Sequence, residues 1–166
     1  MKRVISLLLF VVISSSFGWV KITTEFLKSV EGFSETVYIC PAGKKTIGYG
    51  FTDSKLVALG HMSEGQATNY LQAEVMKVGR RIMNLVDVSS LTDHQFAALI
   101  SLCFNIGMGN FKESTLLKNL RAGELEKVPY EFSRWNKITN PKTKEKEVSN
   151  GLVNRRNLEI ALWNTK

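Results

Sequence analysis

The chain has 166 residues, 44% of them hydrophobic and 22% charged, which fits one folded domain and excludes a disordered polymer. A net charge of +7 favours an anionic partner, such as nucleic acid, anionic lipid or bacterial wall polymer, without choosing among them. Two cysteines, Cys40 and Cys103, are too few for a disulfide framework, and the lack of a plausible His/Asp/Glu cluster speaks against a metal centre.

The N-terminus is set apart from the rest. Met1-Lys2-Arg3 is a short positive segment, Val4 to Ile13 (VISLLLFVVI) is an unbroken apolar run, and Ser16 and Gly18 stand in the small-x-small spacing of a cleavage site. This is the pattern of a secretory signal. The uncharged stretch from Val4 to Val20 is also near the lower length limit of a membrane span, so a retained anchor competes with a cleaved signal. Residues 1–20 are therefore expected to be a leader or tether, and residues 21–166 the folded domain. Export would put that domain in the periplasm or outside the cell, or on the inner membrane before release.

Lys21 to Val30 predicts a short helix, with Ile22, Phe26, Leu27 and Val30 on one face. Gly32 marks its end and leaves Glu31 at the helix C-terminus. From Phe33 to Thr52 the spacing changes. Val37-Tyr38-Ile39, the turn residues Pro41-Ala42-Gly43, and Thr46-Ile47-Gly48-Tyr49-Gly50-Phe51 predict a small hairpin. Ser63 and Gln66 fit a capping box ahead of a long amphipathic helix carrying Ala67, Leu71, Val75, Val78, Ile82 and Leu85. Thr92 and Gln95 repeat the box, and Phe96 to Ile106 is apolar all round, as a buried central helix would be. Short helices are predicted near 114–122 and 129–135, a solvated polar loop over 136–150, and a last helix over about 152–163. The fold class is α+β: a small sheet lobe and a larger helical lobe joined by a long helix, with a cleft between them.

Glu31 is followed by eight residues, then Cys40, then five residues, then Thr46. A carboxyl at a helix end, facing a hairpin with two further polar groups, has the makings of a hydrolytic site. Breaking a glycosidic bond needs a proton donor for the leaving oxygen and a group that orders, deprotonates or replaces a water. The negative end of a helix dipole favours the protonated form that such a donor requires. On spacing alone, an exposed glutamate at a helix end is the plainer reading.

The sequence as a whole resembles the phage-type lysozymes, glycoside hydrolase family 24. The resemblance rests on Glu31, Cys40 and Thr46 with the following TIGYG, on LTDHQFAALISLCFNIGMGNFKESTLL from Leu91 to Leu117, and on NGLVNRRNLEIALW from Asn150 to Trp163. It implies a muramidase that cleaves the β-1,4 bond between N-acetylmuramic acid and N-acetylglucosamine, with peptidoglycan glycan strands as substrate. Such an enzyme would act as a monomer and without a cofactor. Glu31 matches the proton donor and Thr46 the residue that helps hold the attacking water. Cys40 takes the place of an aspartate found in many relatives. Asn105 and Phe104 match positions near the cleft, and Arg155 an arginine that pairs with the catalytic glutamate. Phe51 stands where many relatives have histidine. Taken singly, Phe104 is a core residue, Arg155 a surface base and Asn105 a helix-end residue. A thiol is mostly uncharged near neutral pH, since its ordinary pKa is about 8.5, so Cys40 is a weak substitute for a carboxylate. In some phage endolysins an apolar N-terminal segment first anchors the enzyme and later leaves the membrane. Such segments are usually rich in Gly and Ala, whereas this one is rich in Leu, Val and Ile.

Other activities fit less well. A cysteine hydrolase needs a histidine base beside Cys40, and only His61 and His94 exist, neither in a recognisable pattern. Nucleic-acid binding has net charge behind it and no motif. A non-catalytic wall-binding protein on the same scaffold is the stronger rival, with Glu31 and Thr46 against it.

Overall fold

The computed structural model describes residues 18–40 and 43–166, so most of the expected leader lies outside the described residues. Helix α1 (Gly18–Glu31) buries Val20, Thr23, Thr24 and Leu27, steps of three and four that turn one stripe inward. The hydroxyls of Thr23 and Thr24 donate to the Trp19 and Val20 carbonyls at 2.6 and 2.7 Å, which satisfies both groups inside the helix. Trp19 meets Phe96 edge to face at 5.0 Å. Its ring lies so near Gly79 that a Cβ there would fall 2.7 Å away. The division expected after residue 20 therefore falls inside α1, whose first turn packs on the core. Gly32, at φ +70°, stops the helix and leaves Glu31 as its last residue.

Strands β1 (Ser34–Ile39) and β2 (Lys45–Gly48) pair antiparallel, with Ser34 opposite Gly48 and Tyr38 opposite Thr46. The second strand is shorter than the predicted run to Phe51. Gly48 and Gly50 take φ of +64° and +87°, and Phe51 turns back to exchange backbone hydrogen bonds with Ile47 at 2.9 and 3.0 Å. A single-turn helix, α2 (Ser54–Val57), follows its Asp53 cap and is too short to show a period in the sequence.

Helices α3 (Glu64–Met83) and α4 (Asp93–Ile106) both open on the predicted capping boxes. Along α3 the buried residues include Ala67, Leu71, Val75, Val78 and Ile82, and Tyr70 meets Phe51 edge to face at 6.4 Å. Phe51 is thus a core residue linking hairpin and long helix. In α4 every residue from Phe96 to Cys103 is buried. Helices α5 (Met108–Lys112), α6 (Thr115–Arg121), a 3-10 turn (Leu125–Lys127), α7 (Val128–Ser133) and α8 (Asn150–Trp163) complete the larger lobe. Helix α4 is wrapped by α1, α3 and α8, and one continuous core joins Ile47, Tyr49, Phe51 and Met62 of the sheet lobe to the helices.

The predicted loop over 136–150 is instead a second hairpin, β3 (Lys137–Thr139) paired with β4 (Lys146–Val148). Its strands are exposed on both faces and show no apolar alternation, so the sequence carries no strand signal. The turn holds it together. Asn140 accepts backbone N–H bonds from Lys142 and Thr143 at 2.9 and 3.3 Å, and Lys144 takes the left-handed conformation at φ 63°.

Candidate active site

Glu31 stands where three segments meet. Its side chain is 21% exposed, and Arg155 of α8 donates to its Oε1 from a guanidinium nitrogen at 2.6 Å. On another side lies Gly50, where a Cβ would sit 3.7 Å from Glu31 Oε2. The carboxyl borders a recess of about 300 Å³ lined by Gly32, Phe33, Ser34, Tyr38 and Gly48. A carboxyl from the end of α1, the close of the TIGYG segment and an arginine 124 residues downstream therefore share one corner of the molecule. A Cβ at position 50 would make only ordinary contact with the carboxyl, so it is the φ of +87° that calls for glycine there.

Arg155 is held from behind by a buried network. Glu159, one turn along α8 and 0% exposed, accepts at Oε1 from Arg155 Nε at 3.3 Å, from Arg156 at 3.2 Å and from the Ser101 hydroxyl at 2.7 Å. Arg156 Nε lies 2.9 Å from Glu159 Oε2, in ion-pair contact but off the hydrogen-bond axis. Arg156 also donates to Asn105 Oδ1 at 2.9 Å. Burial pushes the Glu159 carboxyl up and the Arg156 guanidinium down, and in each case the opposite charge of the partner resists the shift. Neither charge would be tolerable in the interior alone. Ser101, Arg156 and Glu159 escaped the reading of the sequence, although an arginine pair with a glutamate three and four residues on is a legible ion-pair spacing on a helix.

The remaining predicted residues are distributed around this centre. Asn105 is exposed and, through Arg156, belongs to the same network as Glu31. It lines a second recess, of about 400 Å³, with Asn110, Trp135, Lys137 and Lys146. Phe104 is half-buried and packs on the core. Cys40 follows β1 directly. Its N–H donates to the Lys44 carbonyl at 3.0 Å and its carbonyl accepts from Gly43 N–H at 2.8 Å. Thr46 is buried, and its hydroxyl donates to the Lys44 carbonyl at 3.0 Å. Neither Cys40 nor Thr46 lines the recess beside Glu31. A larger recess of about 590 Å³, bounded by Lys44, Lys45, Thr52 and Ser54, contains none of the predicted site residues.

Cys103 is a free, buried thiol, so it forms no bond to Cys40. Burial, reinforced by the Glu159 charge, pushes it well above the ordinary thiol range, which makes it inert. Among the described residues no group of three or more His, Cys, Asp or Glu could hold a metal ion, and no helix is long and apolar enough to cross a membrane.

Comparison with known proteins matches residues 28–159 to the phage lysozyme family. The chain is 37% identical over 141 residues to an endolysin of Bacillus phage B103, an alignment that covers 84% of this chain and 51% of that protein. The chain thus spans about half the length of that relative. It is 32% identical over 149 residues to a SAR-endolysin of Escherichia phage Mu, covering 90% of this chain and 82% of the other. Among solved structures, the muramidase domain of SpmX from Asticaccaulis excentricus superposes with a TM-score of 0.77 at 29% identity, covering 87% of this chain and 96% of that one.

Proposed function

The chain belongs to the phage lysozyme family of peptidoglycan-degrading glycoside hydrolases, and we propose that it is a muramidase cutting the β-1,4 bond between N-acetylmuramic acid and N-acetylglucosamine. The observation that carries this reading is the position of Glu31. One partly exposed carboxyl, clamped by Arg155 at 2.6 Å, borders a recess at the junction of α1, the first hairpin and α8.

In this reading Glu31 gives its proton to the glycosidic oxygen as the bond to the anomeric carbon breaks. A water adds its hydroxyl to that carbon and returns a proton to the site, so the products are a muramic-acid reducing end and a free 4-hydroxyl. Glu31 must hold a proton to begin, and with Arg155 on Oε1 that proton is carried on Oε2. Thr46 already spends its hydroxyl proton on the Lys44 carbonyl, which leaves oxygen lone pairs to accept from a water. Cys40, on the loop next to it, is assigned by the family resemblance to ordering that water. Asn105, with its oxygen fixed by Arg156, keeps two amide donors for substrate, and Phe104 shapes the wall behind it.

The wall lies outside the cytoplasm, and the N-terminal segment supplies the route. The apolar run from Val4 to Ile13 and the similarity to SAR-endolysins support a leader that exports or tethers the enzyme. Fractionation of expressing cells should place the protein in the membrane or periplasmic fraction, and cytosolic protein with an intact leader would contradict that route.

The activity itself is tested on purified peptidoglycan with residues 19–166 under reducing conditions. Clearing with new muramic-acid reducing ends is expected, with a loss of about 10²–10⁴-fold in Glu31→Gln, the range for removing a general acid. Wall binding without new reducing ends in the wild-type protein would mean a non-catalytic binding protein instead.

A further inference from the structure

The first hairpin leaves two aromatic rings partly in solvent beside Glu31. Phe33 is 39% exposed and Tyr38 40%, and both line the recess that Glu31 borders. Their exposure does not reflect loose packing. Phe33 rests against Tyr49, with ring centroids 5.4 Å apart. Tyr49 is 1% exposed, and its hydroxyl donates to Glu64 at the start of α3 at 2.9 Å. Lys28 pairs with the same Glu64 at 3.2 Å and sits 6.0 Å from the centre of the Tyr49 ring. Phe33 is therefore backed by a ring that is itself pinned to two helices. Tyr38 stands on β1 opposite Thr46, four residues beyond Ser34, which faces Gly48.

Ser34, whose hydroxyl donates to the Thr36 carbonyl at 2.8 Å, and two glycines complete the lining. Gly48 holds φ +64°, and a Cβ there would meet the Phe51 ring at 2.8 Å, so this part of the lining stays bare. Gly32 holds φ +70° and is bare as well. No lysine or arginine lines the recess, which argues against a phosphate or carboxylate ligand. Its volume of about 300 Å³ is at the low end for ligand sites, which run roughly 300–1,000 Å³. It suits one ring rather than a chain. Apolar ring faces next to open backbone and a carboxyl fit a pyranose. The C–H face of the sugar packs on an aromatic ring, while its hydroxyls and acetamido group need hydrogen-bonding partners.

We propose that Phe33 and Tyr38 form a subsite that seats one N-acetylhexosamine ring of the glycan strand next to the bond that Glu31 protonates. The proposal rests on the muramidase reading and adds a binding role for residues outside the Glu31, Cys40 and Thr46 pattern. A ring held this way is bound alike before and during bond breaking, so its loss raises KM and leaves kcat nearly unchanged.

The test uses Phe33→Leu and Tyr38→Leu, which keep apolar bulk and remove the ring face, beside the conservative Phe33→Tyr. Each is measured for kcat and KM on soluble glycan strands. Each is also placed in a Glu31→Gln background, and binding of the N-acetylglucosamine pentamer is followed by calorimetry. Loss of one stacked ring, at the strength of an aromatic pair, should weaken pentamer binding and raise KM by about 3- to 10-fold, with Phe33→Tyr near the wild-type value. Unchanged binding and KM in both Leu variants would overturn the subsite, as would a fall confined to kcat. If the wild-type protein releases no reducing ends but the Glu31→Gln protein binds the pentamer in a ring-dependent way, the muramidase reading fails and the sugar subsite stands.

Discussion

The two walls of the candidate site are built differently. On the helical side, Glu31, Arg155, Glu159, Arg156, Ser101 and Asn105 form one chain of contacts between 2.6 and 3.3 Å, and Glu159 is completely buried. On the hairpin side, Cys40 and Thr46 are positioned by backbone bonds to a tight loop, both converging on the Lys44 carbonyl. Glu31 is thus set by a rigid electrostatic frame, while Cys40 and Thr46 depend on the geometry of a short turn. Cys40 and Thr46 bond to neutral backbone groups, whereas changing Glu159 disturbs two buried charges, Arg155 and Arg156.

The sharpest way to break that contrast is at Glu159. Glu159→Ala leaves two buried arginines without their shared carboxylate, and a loss of roughly 3–5 kcal/mol of stability is expected, read from denaturant unfolding. Glu159→Gln keeps an acceptor for Ser101 and should lose less. A comparable loss from Cys40→Ala would erase the distinction between the walls.

Gly48→Ala tests the hairpin through its backbone. The left-handed φ and the 2.8 Å approach to Phe51 together should cost about 1–3 kcal/mol, visible as a lower melting temperature. Gly65→Ala is the control, since a Cβ there meets nothing within 4 Å.

A smaller effect should appear in the pH dependence of stability. Burial holds the Glu159 carboxyl above its ordinary 4.5, with Arg156, Ser101 and Arg155 pulling it back. A group that binds its proton more tightly when folded favours the fold at low pH. Its contribution falls as pH rises from about 4.5 through the raised folded value. The Glu159→Gln profile should lack that decline, and parallel profiles would show that Glu159 does not titrate in this window.

The smallest perturbation is thiol labelling. Cys40 is half-exposed and Cys103 is buried with its proton held tightly. A maleimide should therefore modify one thiol in the native protein and two after unfolding. Rapid native labelling of both would mean that α4 opens far more readily than its packing implies.

Much of this molecule was legible in its sequence where a local rule and the global fold agree. Ser63 and Thr92 announced their helices because capping is a matter of three neighbouring residues. The inward stripe of α3 and the all-apolar α4 followed from period alone. What escaped depends on partners distant in the chain. Glu159 is a surface residue by type, and only the meeting of α4 with α8 turns it inward to Ser101. The second hairpin is held by the Asn140 turn and buries no apolar face, so it leaves no alternation to read. Glu31 and Arg155 were paired through family resemblance, not through spacing. Phe33 looked like one more apolar residue until Tyr49 was found behind it.

If Glu31 is the proposed proton donor, the helical wall is indispensable to cleavage and Cys40 on the hairpin wall is not. The most direct measurement is the rate of reducing-end release from purified peptidoglycan by the wild-type protein, Glu31→Gln and Cys40→Ser side by side. Background release is expected from Glu31→Gln and a reduced but clearly measurable rate from Cys40→Ser, both proteins being folded. Equal abolition in the two variants, or substantial activity retained by Glu31→Gln, would contradict that reading.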